Sequence, residues 1–256
     1  MTDGPHEVTN RPAFTVVVPV LNEEQLLEAT LRSLRAQTFT EFELIVVDNG
    51  STDCSPEIAA RFADQVLVEP ERGVLRAMHR GFLAAQGELI AAADADTIYP
   101  RRWLARMAAA LRGPDVVAAY GPMGFRESRR PLQILQAGGY CVLAGLSRVG
   151  GVRLAGAANL GMRRAAYLEV GGYLPFMDRA SPDFRLVLAL ARLGRVRFVP
   201  TMACYTSNRR FVRRNLIHGF LEAGGYWLDV ATHRDRIPGE RYWSNHARED
   251  RGPNKA

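Results

Sequence analysis

Three continuous runs of apolar residues constrain the fold of this chain most strongly. They read FTVVVPV at residues 14–20, FELIVVD at 42–48 and ELIAAAD at 88–94. Uninterrupted runs of this kind are typical of strands buried on both faces of a parallel sheet, because a strand with one solvated face would alternate polar and apolar residues. Helical patterns separate the runs, and this alternation predicts a doubly wound α/β layer.

The other predicted elements extend this layer along the chain. Two of the helices begin at polar residues, Asn22 and Ser55, which we expect to act as N-caps. The predicted helices span residues 22–35, 55 onward, 74–85, 100–111, 183–193 and, as a basic amphipathic helix, 209–221. Further strands are predicted at 65–68, 116–120 and 195–199.

The chain length fits one large domain. With 256 residues and no recognisable linker or repeat, we expect a flexible tail at 1–13, a single domain at 14–247 and a disordered tail at 248–256. Within the domain, we expect a ligand-binding half at 14–120 and a second half at 121–247 that ends in the basic helix.

Charge and cysteine usage exclude several classes of protein. The net charge is +6, but Lys255 is the only lysine. This argues against aspartyl-nucleophile phosphatases and P-loop NTPases, which need a lysine in the fold. No GxGxxG follows the first strand, which argues against a nicotinamide dehydrogenase. The basic balance comes without a nucleic-acid-binding motif, so we expect no nucleic acid partner.

The sequence indicates a cytoplasmic protein. The 3 cysteines form no CxxC pair, and residues 1–13 contain no apolar core of a secretory signal. No stretch approaches the ~18–20 apolar residues of a membrane span. The basic helix predicted at 209–221 can either pack its apolar face on the core or lie on the inner face of a membrane.

Polar residues follow the predicted strands at the edge where ligands bind in doubly wound sheets. Asp94 and Asp96 flank Ala95 at the end of one strand, and two carboxylates there are suitable ligands for Mg²⁺ or Mn²⁺. Asp48 ends another strand and is followed by Gly50, which lets a backbone approach a ligand closely. Both groups can also be simple turn formers.

The order of three motifs resembles glycosyltransferase family 2. These motifs are PVLNE at 19–23, VVDNGSTD at 46–53, and AQGE at 85–88 leading into the Asp94–Asp96 triplet. The resemblance implies a GT-A fold: a Rossmann-like, three-layer α/β sandwich with a mostly parallel central sheet. It also implies an inverting transfer of a hexose from a nucleotide diphosphate sugar, with a divalent cation, Mn²⁺ or Mg²⁺, as cofactor.

The resemblance also assigns expected roles to single residues. Asp96 would bind the metal directly, with Asp94 near the metal or the ribose, and Asp48 would contact the base. Basic side chains near the diphosphate would come from two places in the chain. The full set expected to bind the nucleotide sugar is Pro19, Asn22, Glu23, Asp48, Arg72, Arg76, Asp94, Ala95, Asp96, Arg209 and Arg210.

A second landmark of that family lies near Asp183, which would be the general base. Gly171-Gly172-Tyr173 precedes it, as in the family, but Pro182 stands where a glutamate is usual and Ala189 where an arginine is usual. Asp183 can also be a plain helix N-cap after Ser181-Pro182. Asp178 is the alternative base.

The expected function is therefore transfer of a hexose, by default from a UDP-sugar, to a hydroxyl of a glycan, a lipid or a lipid-linked intermediate. The departures at Pro182 and Ala189 leave an alternative, a catalytically inactive protein of this type that only binds nucleotide sugars. The sequence selects neither the sugar, the base, the acceptor nor the oligomeric state.

Overall fold

The structure is a computed structural model that describes residues 11–149, 151–179 and 181–209, together with residues 225, 228 and 232. Its strands are β1 (Phe14–Val20), β2 (Phe42–Asp48), β3 (Gln65–Val68), β4 (Leu89–Ala92), β5 (Val116–Tyr120), β6 (Met123–Phe125), β7 (Leu160–Arg163), β8 (Arg195–Phe198) and β9 (Cys204–Thr206). Its helices are α1 (Leu27–Arg35), α2 (Ser55–Ala60), α3 (Val74–Ala84), α4 (Trp103–Ala110), α5 (Arg130–Val149), α6 (Arg164–Glu169) and α7 (Pro182–Leu193).

Seven of these strands form one sheet in the order β3-β2-β1-β4-β7-β5-β8. Neighbouring strands are parallel except on either side of β7, which runs antiparallel to both β4 and β5. A small second sheet pairs β6 with β9. The prediction of a mostly parallel α/β sheet is therefore confirmed.

The central strands are buried on both faces, as their apolar runs predict. Val16 and Val18 point into a core shared with α1, α2 and α4, whereas Val17 points into a core shared with α3, α6 and α7. Because all three valines are fully buried, β1 has no solvated face. The sheet with a helical layer on each side makes the expected three-layer sandwich.

Several predicted boundaries differ from those in the structure. The first helix begins at Leu27, not at Asn22, because residues 22–26 form a loop that bonds to the loop after β2. The helix after β2 begins at Ser55 itself, with Cys54 before it, so the prediction that Ser55 caps this helix is wrong by one residue. Ala13, placed in the predicted flexible tail, donates its N–H to the carbonyl of Glu41.

Strand β7 connects the two predicted halves of the domain. It comes from residues beyond 120 but lies between β4 and β5, which belong to the first half. The sheet therefore crosses the boundary that the sequence predicts.

Helix α5 is the largest element that the sequence did not predict. Its 20 residues contain two adjacent glycines and a central apolar stretch, which obscured a helical pattern. None of the helices in the described part of the chain combines the length and the hydropathy needed to cross a membrane.

Candidate functional site

A solvent-open cleft lies at the carboxyl ends of β1, β2 and β4, and we call it the strand-end cleft. Right-handed α/β folds place ligands at this edge, because the loops after adjacent parallel strands meet there. The residues that line it are Pro19, Val20, Leu21, Glu23, Asn49, Arg72, Gly73, Val74, Asp94, Ala95 and Asp96. Six of them belong to the predicted site: Pro19, Glu23, Arg72, Asp94, Ala95 and Asp96.

The Asp94–Asp96 loop is held by contacts from three directions. The hydroxyl of Tyr99 accepts the Asp94 N–H at 2.9 Å and donates to the Ala158 carbonyl at 3.0 Å. Thr30 of α1 donates its hydroxyl to the Ala95 carbonyl at 2.8 Å. The Tyr99 ring packs on the fully buried Trp103, with 4.4 Å between ring centroids. These contacts therefore fix the backbone that carries the two carboxylates.

Asp96 is a nearly buried carboxylate, and two of its partners come from the second half of the chain. Its Oδ1 accepts a hydrogen bond from the Thr206 hydroxyl at 3.1 Å, and its Oδ2 lies 3.3 Å from the Arg209 guanidinium. The same guanidinium contacts Glu23 after β1. Arg209 thus joins two acidic residues that line the strand-end cleft.

The donor set of the cleft fits a divalent cation of the Mg²⁺ type. Among the residues that the structure describes, no three His, Cys, Asp or Glu side chains gather into a complete metal cage. Mg²⁺ and Mn²⁺ sites commonly use only one or two carboxylates and complete their shell with substrate phosphates and water. Asp94 and Asp96 supply such a pair. The Arg209 guanidinium pairs with Asp96 in this structure, which counts against a cation at Asp96 unless the cation displaces the arginine.

Asn22 and Asp48 organise the rim of the cleft but are not among the residues that line it. Asn22 has a left-handed backbone (φ 54°), and its Oδ1 accepts the Thr52 N–H at 2.8 Å, so its predicted role as a helix cap is wrong. Asp48 is buried, and its Oδ1 accepts the Ser51 N–H at 3.1 Å. Asp48 therefore forms a turn in the structure, as the alternative interpretation expects. Its contact with the nucleotide base stays a prediction.

Asn49 is a lining residue that the sequence analysis did not single out. This buried side chain donates to the carbonyls of Glu69 and Glu71 at 2.9 and 2.8 Å, and accepts the Gly73 N–H at 2.7 Å. It fixes the loop that carries Arg72 into the cleft. One feature of the sequence indicates that Asn49 lies at the cleft: it directly follows a buried strand, next to Asp48.

The two predicted arginines of this loop region differ in position. Arg72 lines the strand-end cleft. Arg76 is exposed on α3 and forms an ion pair with Glu71, with 2.9 Å between Nη1 and Oε2. The structure thus brings Arg72, but not Arg76, to the lining of the cleft.

Asp183 is the second residue of α7 and is held from outside its own helix. Its Oδ1 accepts a hydrogen bond from the Tyr173 hydroxyl at 2.8 Å, and its Oδ2 accepts the Ala157 N–H at 3.2 Å. Ser181 occupies the N-cap position, and α7 has no side-chain cap, so the N-cap alternative for Asp183 is wrong. Asp178, the alternative base, lies on an exposed turn.

Burial and nearby negative charge keep the hydroxyl of Tyr173 protonated. Burial, followed by the negative charge of Asp183, raises the pKa of Tyr173 well above its usual value of 10.0. The charge of Asp94 raises this pKa further.

Hydrogen bonds tie Asp183 and the Asp94–Asp96 loop to two adjacent residues. Asp183 Oδ2 accepts the Ala157 N–H, and Tyr99, which accepts the Asp94 N–H, donates to the Ala158 carbonyl. The candidate base and the Asp94–Asp96 pair are therefore linked through Ala157 and Ala158.

Two glycines shape the turn that presents Tyr173. Gly171 and Gly172 have φ values of 76° and 59°, a region that favours glycine. A Cβ on Gly172 would lie 2.6 Å from the Tyr167 ring. The Tyr167 hydroxyl accepts the Tyr173 N–H at 3.2 Å and lies 2.7 Å from Nδ1 of His79. The glycine pair is thus needed for this packing.

Part of the predicted site lies outside the described residues. This holds for Arg210 and for the predicted basic helix at 209–221 beyond its first residue. Arg209 is described, and its contact with Asp96 brings it to the strand-end cleft.

Comparison with protein families places the chain among glycosyltransferases. The family model "Glycosyl transferase family 2" matches residues 15–171. An uncharacterized glycosyltransferase of Mycobacterium tuberculosis (strain ATCC 25618 / H37Rv) is 42% identical over 106 residues, which are 41% of this chain and 47% of that protein. Glycosyltransferase AglE of Haloferax volcanii is 31% identical over 122 residues, 44% of this chain and 40% of that protein. The matches span less than half the length of these curated relatives.

Solved structures share the fold at low sequence identity. The mannosyltransferase PcManGT from Pyrobaculum calidifontis, in complex with GDP-Man and Mn²⁺, has a TM-score of 0.66 and 23% identity, covering 94% of this chain and 74% of that one. Glucosyl-3-phosphoglycerate synthase from Mycobacterium tuberculosis, with Mn²⁺, UDP and phosphoglyceric acid, has a TM-score of 0.57 and 21% identity, covering 89% and 80%. The sheet of this chain is thus of the GT-A type. Since the family model covers more than half of the sequence, the chain belongs to glycosyl transferase family 2.

Proposed function

We propose that this protein transfers a hexose from a nucleotide diphosphate sugar to an acceptor hydroxyl, with inversion at the anomeric carbon. The single observation that carries the proposal is that Asp183 and the Asp94–Asp96 loop are linked by hydrogen bonds through the adjacent residues Ala157 and Ala158. A transferase of this kind needs both groups, one for the leaving diphosphate and one for the attacking hydroxyl.

The strand-end cleft would bind the donor. Pro19 and Glu23 would line the nucleoside end, with Asn22 and Asp48 ordering the rim around it. Arg72 supplies a guanidinium in the lining, which suits a diphosphate because its planar fork matches phosphate oxygens. Arg209 and Arg210 would add positive charge from the second half of the chain, and Arg76 would act at longer range.

Asp94 and Asp96 would hold the divalent cation. When bound, Mn²⁺ or Mg²⁺ offsets the negative charge that develops on the departing diphosphate. In PcManGT and glucosyl-3-phosphoglycerate synthase, Mn²⁺ accompanies a nucleotide or nucleotide sugar, which supports this cofactor. Arg209 would exchange its contact with Asp96 for the donor diphosphate, since a phosphate group offers it a stronger pairing than a carboxylate already bound to a cation.

Asp183 would accept the proton of the acceptor hydroxyl. The hydrogen bonds from Tyr173 and Ala157 fix the carboxylate and stabilise its charged form, which is the form that can act as a base. A single base and an in-line attack give one displacement, and therefore inversion. No second carboxylate is required as a nucleophile.

The acceptor and the nucleotide are proposed only by class. Related structures contain GDP-Man, UDP-GlcNAc or UDP, so we take a UDP-sugar as the default donor and GDP-sugars as the next to test. A hydroxyl on a glycan, a lipid or a lipid-linked intermediate is the proposed acceptor. We place the reaction in the cytoplasm, including the inner face of a membrane.

The experiment is a screen of nucleotide sugars with Mn²⁺ that measures both melting temperature and release of nucleoside diphosphate. A bound donor raises the melting temperature with the logarithm of its concentration over Kd. Asp96→Ala should lose the stabilisation that depends on Mn²⁺. Asp115→Ala, an exposed carboxylate paired with Arg195 at the start of β5, is the matched control and should keep it.

The outcomes separate the possible functions. Release of diphosphate by the wild type, lost in Asp96→Ala, supports the proposal. Binding of a donor with Mn²⁺ but no release with any acceptor or water would favour the inactive binding protein. No stabilisation by any nucleotide sugar would refute a donor site in the strand-end cleft.

A further inference from the structure

Helix α5 turns its polar side chains toward the protein. Gln136 accepts the Phe125 N–H at 3.0 Å, and Gln133 donates to the Phe125 carbonyl at 3.2 Å. Ser147 donates to the Val152 carbonyl at 3.0 Å, and the Tyr140 hydroxyl donates to the carbonyl of Leu154. The inward face of α5 is therefore held mainly by hydrogen bonds.

The outward face of α5 is apolar. Six large aliphatic side chains are between 54% and 90% exposed: Ile134, Leu135, Val142, Leu143, Leu146 and Val149. At 3.6 residues per turn, they fall within one half of the helix circumference, and no charged residue lies among them. The stretch from Ile134 to Val149 is about 24 Å long. An apolar surface of this length marks an interaction site, because a monomer gains nothing by exposing it to water.

The charged residues on α5 and the residue that precedes it are all arginines. Arg129 and Arg130 are exposed at the start of α5, and Arg148 is exposed in its last turn. An apolar helix face bordered by arginines is typical of helices that lie in the surface of an anionic bilayer.

We propose that the outward face of α5 docks on an anionic lipid bilayer, with Ile134, Leu135, Val142, Leu143, Leu146 and Val149 in the acyl region and the arginines at the headgroups. The helix lies parallel to the membrane plane and does not cross it. This docking is independent of the glycosyl-transfer proposal, because it rests on α5 alone.

Charge argues against two other occupants. A second copy packed antiparallel on the same face would bring Arg129 and Arg130 of one copy close to Arg148 of the other, which like-charge repulsion disfavours. The segment 210–256 carries nine basic and six acidic residues, so it shares the net positive charge of α5. An anionic lipid surface is complementary to both the apolar and the charged parts of this region.

The test is co-sedimentation of the full chain with vesicles of phosphatidylcholine, with and without 30% phosphatidylglycerol. We expect binding to the anionic vesicles to be at least about tenfold tighter than to the neutral ones, and to weaken with salt. Leu135→Glu/Leu146→Glu should weaken it by about tenfold or more, since two charges would enter the acyl region. Leu83→Glu/Leu174→Glu, at side chains 51% and 59% exposed elsewhere, adds the same charge and should change binding less than about twofold.

Each outcome decides for or against the docking. Loss in the α5 variant with retention in the control supports it, and Leu135→Ser/Leu146→Ser provides the same test if the glutamates prevent folding. Absence of binding by the wild type overturns the proposal, as does equal loss in both double variants. Full binding by the α5 variants would locate membrane contact in another segment. Sedimentation velocity showing a dimer that only the α5 variants dissociate, without vesicle binding, would identify a second copy as the occupant.

Discussion

The strand-end cleft and the region around Asp183 are built in different ways. The cleft is assembled from loops after adjacent parallel strands, which bond to one another through short polar side chains such as Asn22 and Asp53. Asp183 instead depends on a buried tyrosine and on a glycine pair with positive φ. The family model covers the whole lining of the cleft but ends at residue 171, before Asp183. The comparison teaches that the lining of the strand-end cleft rests on motifs within the family match, whereas the surroundings of Asp183 rest on packing between separate segments of the chain.

The largest effect on turnover should come from a substitution of Asp183 that leaves the strand-end cleft intact. Asp183→Asn keeps the shape of the side chain but removes the proton acceptor, so we expect kcat to fall by about 10²–10⁴-fold. Donor affinity, measured by calorimetry with Mn²⁺, should stay unchanged. Asp178→Asn, on an exposed turn, is the control and should keep wild-type turnover. If Asp178→Asn lost turnover and Asp183→Asn kept it, Asp178 would be the base.

A smaller effect should come from removing the support of Asp183. Tyr173→Phe deletes the 2.8 Å hydrogen bond to the carboxylate, and we expect about a tenfold lower kcat because hydrogen bonds to charged groups are stronger than neutral ones. The KM for the donor should not change. A rise in donor KM with constant kcat would mean that Tyr173 serves the strand-end cleft instead.

On the donor side, the corresponding test is Asn49→Ala. Three hydrogen bonds to the 69–73 loop are lost, so we expect the free energy of unfolding to fall by about 2 kcal/mol. Donor affinity should fall as well, since Arg72 loses its fixed position, while turnover at saturating donor should change little. Chemical denaturation and calorimetry measure the two effects. Gln65→Ala, on the exposed edge strand β3, should alter neither.

The smallest effect should be the pH dependence that His79 contributes. Burial lowers the pKa of His79 below 6.5, so below that pH the unfolded chain binds more protons than the folded one. The stability that the buried, neutral His79 side chain contributes is fully present above pH 6.5. It is lost as the pH falls through and below that value. His79→Phe should flatten the decrease of the unfolding free energy between pH 7 and 5. An unchanged slope would contradict this assignment.

The sequence predicted those strands whose own residues show that both faces are buried. The strands Phe14–Val20, Phe42–Asp48 and Val116–Tyr120 have the predicted bounds, because their apolar runs allow no other burial. Helix α5 was missed because its two adjacent glycines and central apolar stretch obscure the helical period.

The site was predictable to a similar degree. Asp94 and Asp96 reach the cleft because they directly follow a strand. The roles of Asn22 in a loop and of Tyr173 beside Asp183 could not be predicted, since each depends on a partner 10 or more residues away. The same holds for Asn49, whose three bonds reach a loop about 20 residues further on.

The position of β7 has a consequence for how the molecule forms during synthesis. Leu89–Ala92 and Val116–Tyr120 are not neighbours until Leu160–Arg163 has been made and has entered between them in the opposite direction. Pairings over such sequence separations are slow to form, because the chain must close long loops before it gains contacts. A nascent chain ending near residue 120 would hold β3, β2, β1 and β4 as one half-sheet with an open edge at β4, and β5 as an unpaired strand. The seven-stranded sheet therefore cannot be completed before Leu160–Arg163 and Arg195–Phe198 have been translated.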